Sequence, residues 1–141
     1  MRRKTYWYRT DIPRDSGIYW VDFCFYWFRI MLKERIVKGV VFEKRLYLPP
    51  WVHDKDLCRG YWDEFTRKVH LNAANKNYNM HGTRVSHVRT LLHEMYHALD
   101  PGAQESYVHD VAEPELWELS SDAQRAYLRK YVRNQWIQQH N

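Results

Sequence analysis

At 141 residues, with 45% apolar and 28% charged side chains, the chain has room for one domain with a real core and is not a disordered tail. Only five glycines against 16% aromatics exclude collagen-like and low-complexity readings, and a net charge of +5 favours anionic partners only weakly. The charge is unevenly placed: Arg2, Arg3, Lys4 and Arg9 form a basic head, and six acids with no base lie between residues 101 and 124 (Glu105, Asp110, Glu113, Glu115, Glu118, Asp122). Bases then return at Arg125, Arg129, Lys130 and Arg133. In chain order, the stretch 18–37 predicts a helix, because Val21, Cys24, Phe25, Phe28, Met31 and Leu32 recur at helical spacing; Asp22, Arg29 and Lys33 fall on its other side, and Gly39 closes it. Residues 40–42 and 46–48 read as extended and are stopped by Pro49-Pro50; short strands are expected over 61–65 and 68–71. A polar run, 72–79, leads through His81-Gly82 to a helix that Thr83 or Ser86 can cap. Its buried stripe is Val88, Leu91, Leu92, Met95 and Leu99, and Asp100-Pro101-Gly102 ends it. An acidic loop follows, and a last helix starts near Pro114 or is capped at Ser121 and runs to about Gln138. Leu128, Val132 and Trp136 line one face of that helix, with Arg125, Arg129 and Arg133 on another. The expected fold is a single α+β domain over residues 1–141 with a small sheet.

Cys24 and Cys58 lack any CxxC spacing and offer no disulfide framework, so Cys24 reads as a buried thiol and the protein as one of a reducing compartment. The basic start is followed by Asp11, Pro13, Arg14 and Asp15 rather than an apolar run, which is not the pattern of a secretion signal. The apolar stretch 18–32 is short and carries Asp22 and Arg29, so no membrane span is expected. A cytoplasmic or otherwise intracellular monomer is the expectation, nuclear if the source is eukaryotic.

The chemistry is concentrated in His93-Glu94-Met95-Tyr96-His97. Histidines at i and i+4 share one helix face, so both imidazoles can meet one metal ion. Glu94 projects beside them and can take a proton from water at that metal, so it is the candidate catalytic base. A catalytic Zn2+ needs a third protein ligand and an open position. His109, twelve residues past His97 and beyond a Pro-Gly turn, is the first candidate; Glu113, Asp110 and Glu105 are the others. Acids around His109 are also candidate acceptors that orient the ligating imidazoles. Tyr96 and Tyr107 are candidate donors to a developing oxyanion. Asp100 and Ala103 stand where the extended HExxHxxGxxH motif needs Gly and His, which excludes a metzincin. His53, His70, His81, His87 and His140 have no metal-ligand spacing.

The run Thr90-Leu91-Leu92-His93-Glu94-Met95-Tyr96-His97-Ala98-Leu99 resembles the active-site helix of SprT-like (Spartan-type) zinc metalloproteases, and Val69-His70-Leu71-Asn72 is similar to the short strand ahead of it. The likeness is good over residues 68–99 and extends to about 113. It implies a minimal zincin-like domain, zinc held by His93, His97 and a downstream His that maps to His109, and Glu94 as base. It also implies cleavage of DNA-bound or DNA-crosslinked proteins. The chain departs from the family in having Asp110 rather than Gly after His109, and it shows no zinc-ribbon cysteines. Contact with DNA is therefore expected from the basic N-terminal segment and from the last helix, where Tyr127, Tyr131 and Trp136 interleave with the bases. The alternative is a nucleic-acid- or protein-binding module with a structural or inactive zinc site.

Overall fold

The apolar spacing that predicts the first helix produces α1, Tyr19–Lys33, in a computed structural model that describes residues 11–43, 59–72 and 87–140. The proposed strand at 46–48, the basic head, Cys58, His53, His81 and the caps Thr83 and Ser86 lie outside the described residues. Helix α1 buries the six apolar residues expected of it. It stops earlier than the sequence suggests, because Arg35 adopts a left-handed backbone (φ 59°) and turns the chain so that Val37 enters the core. Asp22 is not on a solvated face as expected. It is buried at 1% exposure, where its carboxylate accepts hydrogen bonds from Ser16 N and Oγ, Gly17 N and Gln124 Nε2.

Three strands follow: β1, Gly39–Glu43; β2, Gly60–Asp63; and β3, Lys68–Asn72. The sheet order is β1-β3-β2, with β1 parallel and β2 antiparallel to the central β3. Phe65, expected within a strand, instead sits in the tight β2–β3 connection, 92% exposed. That turn is built by Asp63, whose Oδ1 accepts from the backbone N–H of Phe65 and Thr66, and by Arg67 at φ 58°. Val69 and Leu71 of β3 point into the core, and Gly60 of β2 lies close against it; a Cβ on Gly60 would stand 2.4 Å from the His70 carbonyl oxygen.

Helix α2, His87–Leu99, packs on the sheet through Leu91, Leu92 and Met95, all fully buried. The acidic segment after it is not the loop that its composition suggests. It winds into a single helical turn, α3 (Glu105–Tyr107), a π-helical turn over Val108–Ala112, and α4, Glu113–Leu119. Val108, Ala112 and Leu116, spaced four apart, are all 0% exposed, and their burial holds this segment helical despite its charge. Both expected starts of the last helix are used: Pro114 sits in the first turn of α4, and Ser121 caps α5, Asp122–His140. Gln124 N donates to Ser121 Oγ and Ser121 N donates to Gln124 Oε1, a reciprocal capping box. Leu128 and Val132 of α5 are buried, whereas Trp136 is 42% exposed and meets Phe42 edge-on.

Helix α5 also closes the outer edge of the sheet. Gln135 Oε1 accepts from Val40 N and Gln139 Oε1 from Phe42 N, while Gln139 Nε2 donates to the Val40 carbonyl. These amides take the backbone groups that an edge strand would otherwise expose. The result is an α+β architecture with α2 laid across a small mixed sheet. Among the described residues, no helix is long and apolar enough to cross a membrane.

Candidate metal centre

The site is assembled on α2, where the buried stripe of Leu91, Leu92 and Met95 fixes the helix roll and turns His93 and His97 toward the α3 turn. The ring centroids of the two histidines are 5.0 Å apart. Both present Nε2 to the same atom, Glu105 Oε1, at 3.1 Å from His93 and 2.6 Å from His97. Donor atoms of His93, His97 and Glu105 all lie within 4.8 Å of one another. A four-coordinate Zn2+ binds nitrogen and oxygen at about 2.0–2.2 Å, so donors at this spacing can share one ion. Two neutral imidazoles and a carboxylate are also a donor set that zinc accepts. The residues fit the metal.

Glu94 lies beside them, with Oε2 3.9 Å from His93 Nε2. Burial pushes its carboxyl up to about 7, against the pull of His93 and His97. Burial would depress His93, but its hydrogen bonds to Glu105 and Glu113 prevail and raise it to about 9. Glu105 is held well below the ordinary carboxylate range; burial opposes this, and the two imidazoles outweigh it. The His97 and Glu105 side chains are 20% and 67% exposed, so the donor cluster opens to solvent on the α3 side.

His93 Nδ1 faces away from that cluster, 2.8 Å from Glu113 Oε1 on α4. Glu113 is buried and is met by two arginines: Arg59 Nη2 at 3.3 Å from Oε1, and Arg89 Nε and Nη2 each 3.0 Å from Oε2. Burial favours its protonated form, but the His93 hydrogen bond and both guanidiniums hold its pKa below the ordinary value. Glu113 thus occupies the orienting role that the sequence allowed to acids of this segment, not a place among the converging donors.

His109 is placed elsewhere. The wider π-helical turn carries Val108 and Ala112 into the core and leaves His109 63% exposed, with Nδ1 2.8 Å from Asp110 Oδ1. It is not among the donors that converge with His93 and His97, and neither is Asp110; Glu105, the lesser candidate, is the residue brought to them. Glu105 lies eight residues past His97, and the Asp100-Pro101-Gly102 turn folds the chain back on α2 so that it reaches both rings. Tyr96 donates its hydroxyl to Asp100 Oδ2, and Tyr107 is an exposed neighbour of its ring. Sequence reasoning missed Arg59 and Arg89. Arg89 carried a signal, since it stands four residues before His93 on the same helix face. Arg59 carried none, because its approach depends on the long-range pairing of β2 with β3. No family model, curated protein or solved structure matches this chain.

Proposed function

We propose that this chain is a zinc-dependent metalloprotease of SprT-like type, hydrolysing peptide bonds with Glu94 as general base. The convergence of both histidine Nε2 atoms on Glu105, with Glu94 in the same helical turn, carries this reading. His93, His97 and Glu105 would hold the metal, a carboxylate standing where the resemblance implies a third histidine. Zinc held there would act as a Lewis acid on a peptide carbonyl and would make water acidic near neutral pH.

The other steps belong to the chain itself. A peptide would approach from the side on which His97 and Glu105 are exposed. Glu94 Oε2 takes the proton of the attacking water and returns it to the departing amine, and its buried surroundings keep that carboxyl from being swamped by bulk solvent. Glu113 keeps the His93 ring from turning as charge moves.

The substrates we propose are proteins bound or crosslinked to DNA. Exposed Arg129, Lys130 and Arg133 on α5 support this, as does Trp117, whose ring Arg129 approaches at 5.5 Å. The basic side chains would give phosphate contacts beside the half-buried Trp117. The test is Glu94→Gln, assayed for zinc content and for cleavage of a DNA-bound protein. The expected result is wild-type zinc content with cleavage reduced by at least 100-fold, on the order of what a general base contributes. A Gln variant that cleaves as well as wild type overturns the mechanism. A wild type that holds zinc but cleaves nothing favours the binding-module alternative.

A further inference from the structure

The geometry points to Glu113 as a positioning residue, clamped by Arg59 and Arg89 so that His93 keeps its proton on Nδ1 and offers Nε2 to a metal. This rests on the reading of His93 as a metal ligand. The argument is one of donors and acceptors. Guanidinium nitrogens only donate. Arg59 donates to Glu113 Oε1 and Arg89 donates twice to Oε2, so the Glu113 carboxylate is an acceptor on both oxygens. The 2.8 Å contact between His93 Nδ1 and Oε1 then requires the hydrogen to be on Nδ1. Nε2 faces the Glu105 carboxylate at 3.1 Å and so carries a hydrogen too in the metal-free protein; with Nδ1 held by Glu113, Nε2 is the nitrogen whose hydrogen a metal would replace.

The clamp draws on three separate parts of the fold. His93 and Arg89 share α2, Glu113 opens α4, and Arg59 immediately precedes β2. The His93 and Glu113 side chains are each 4% exposed, so water does not compete effectively for this bond. His97 has no comparable brace among the described residues: its polar contact there is with the exposed Glu105. His93 is therefore the ligand set in place by the fold before any metal arrives, and Glu113 is what sets it.

Two readouts test this without relying on peptide cleavage. The first is nitrogen-15 NMR of the His93 ring, recorded without metal and with zinc. A solvent-protected N–H at Nδ1 in both states is expected. Protection at Nε2 alone, or loss of the Nδ1 proton when zinc is added, overturns the proposal; the latter would mean that Glu113 or Nδ1 had moved to the metal. The second is zinc affinity by competition with a chromophoric chelator. Glu113→Ala is expected to bind zinc about 10–100-fold more weakly and to lose the protected N–H. Wild-type affinity in a folded Ala variant overturns the proposal. Should Ala not fold, Glu113→Gln serves, since its amide oxygen can still accept from Nδ1. Retained protection with zinc binding closer to wild type than about tenfold supports a positioning role, and loss of the N–H in a folded Gln variant counts against it. The metal-free NMR readout stands even if zinc proves not to bind or Glu94 proves not to be a base, which separates this failure from that of the proposed activity.

Discussion

Asp22 is a charged residue in the first turn of α1, yet at 1% exposure it is as buried as Phe25 and Phe28. It ties the loop before α1 to α5, because its carboxylate accepts from Ser16, Gly17 and Gln124 together. Asp22→Ala would strand two backbone N–H groups and the Gln124 amide, and it is expected to cost about 3 kcal/mol in urea unfolding. A change below about 0.5 kcal/mol would show that these bonds are not maintained in solution. A helical-wheel reading puts Asp22 on the solvent side; burial is tolerable because Ser16 and Gly17, and Gln124 from 102 residues away, all donate to its carboxylate. The candidate site shows the same division at this scale. His93, Glu94 and His97 are legible because five consecutive residues of helix place them without help from the rest of the chain. The third donor is not, since Glu105 and His109 are both within reach of a folded-back loop and the geometry of the intervening turn decides between them.

Local spacing was sufficient for the elements wherever apolar periodicity was strong, as in α1, α2 and the short β3. It failed in the segment 105–112, where neighbouring acids mask Val108 and Ala112, whose burial with Leu116 makes the segment helical. Strand β2 is set by packing rather than propensity. A Cβ on Gly60 would meet the His70 carbonyl oxygen at 2.4 Å and Thr90 Cγ2 at 3.0 Å, so the β2–β3 pairing beneath α2 depends on that glycine. Gly60→Ala is expected to destabilise by about 2 kcal/mol, whereas Gly102→Ala, with nothing within 4 Å of the added carbon, should stay within about 0.5 kcal/mol. Equal melting temperatures for the two variants would contradict this account of the sheet.

Across the whole molecule, the buried titratable groups give the metal-free protein a defined pH response. His93, raised on folding from 6.5 to about 9, adds stability that is fully present below pH 6.5 and is lost as pH rises through 9. Glu94, raised from 4.5 to about 7, acts in the same sense, since folding disfavours its ionised form and stability falls as pH rises across that interval. Glu105 and Glu113 are lowered, so their contribution is present above pH 4.5 and is lost as pH falls below it. The metal-free melting temperature is therefore expected to decline between pH 6.5 and 9, and to decline again on acidification below 4.5. Zinc should reduce the alkaline decline, because the metal takes the place of the His93 proton and binds more tightly as its ligands deprotonate. A metal-free profile that is flat from pH 6.5 to 9 would contradict the burial and partners assigned to His93.

The central claim is that one metal ion is held by His93, His97 and Glu105, with Glu94 left free to act on water. Elemental analysis of zinc in the purified wild type, Glu105→Ala and His109→Ala tests it most directly. The account predicts about one zinc per chain in the wild type and in His109→Ala, with the metal lost from Glu105→Ala. Zinc lost from His109→Ala and kept by Glu105→Ala would move the third ligand to His109, and a wild type without zinc after incubation with the metal would contradict the centre itself.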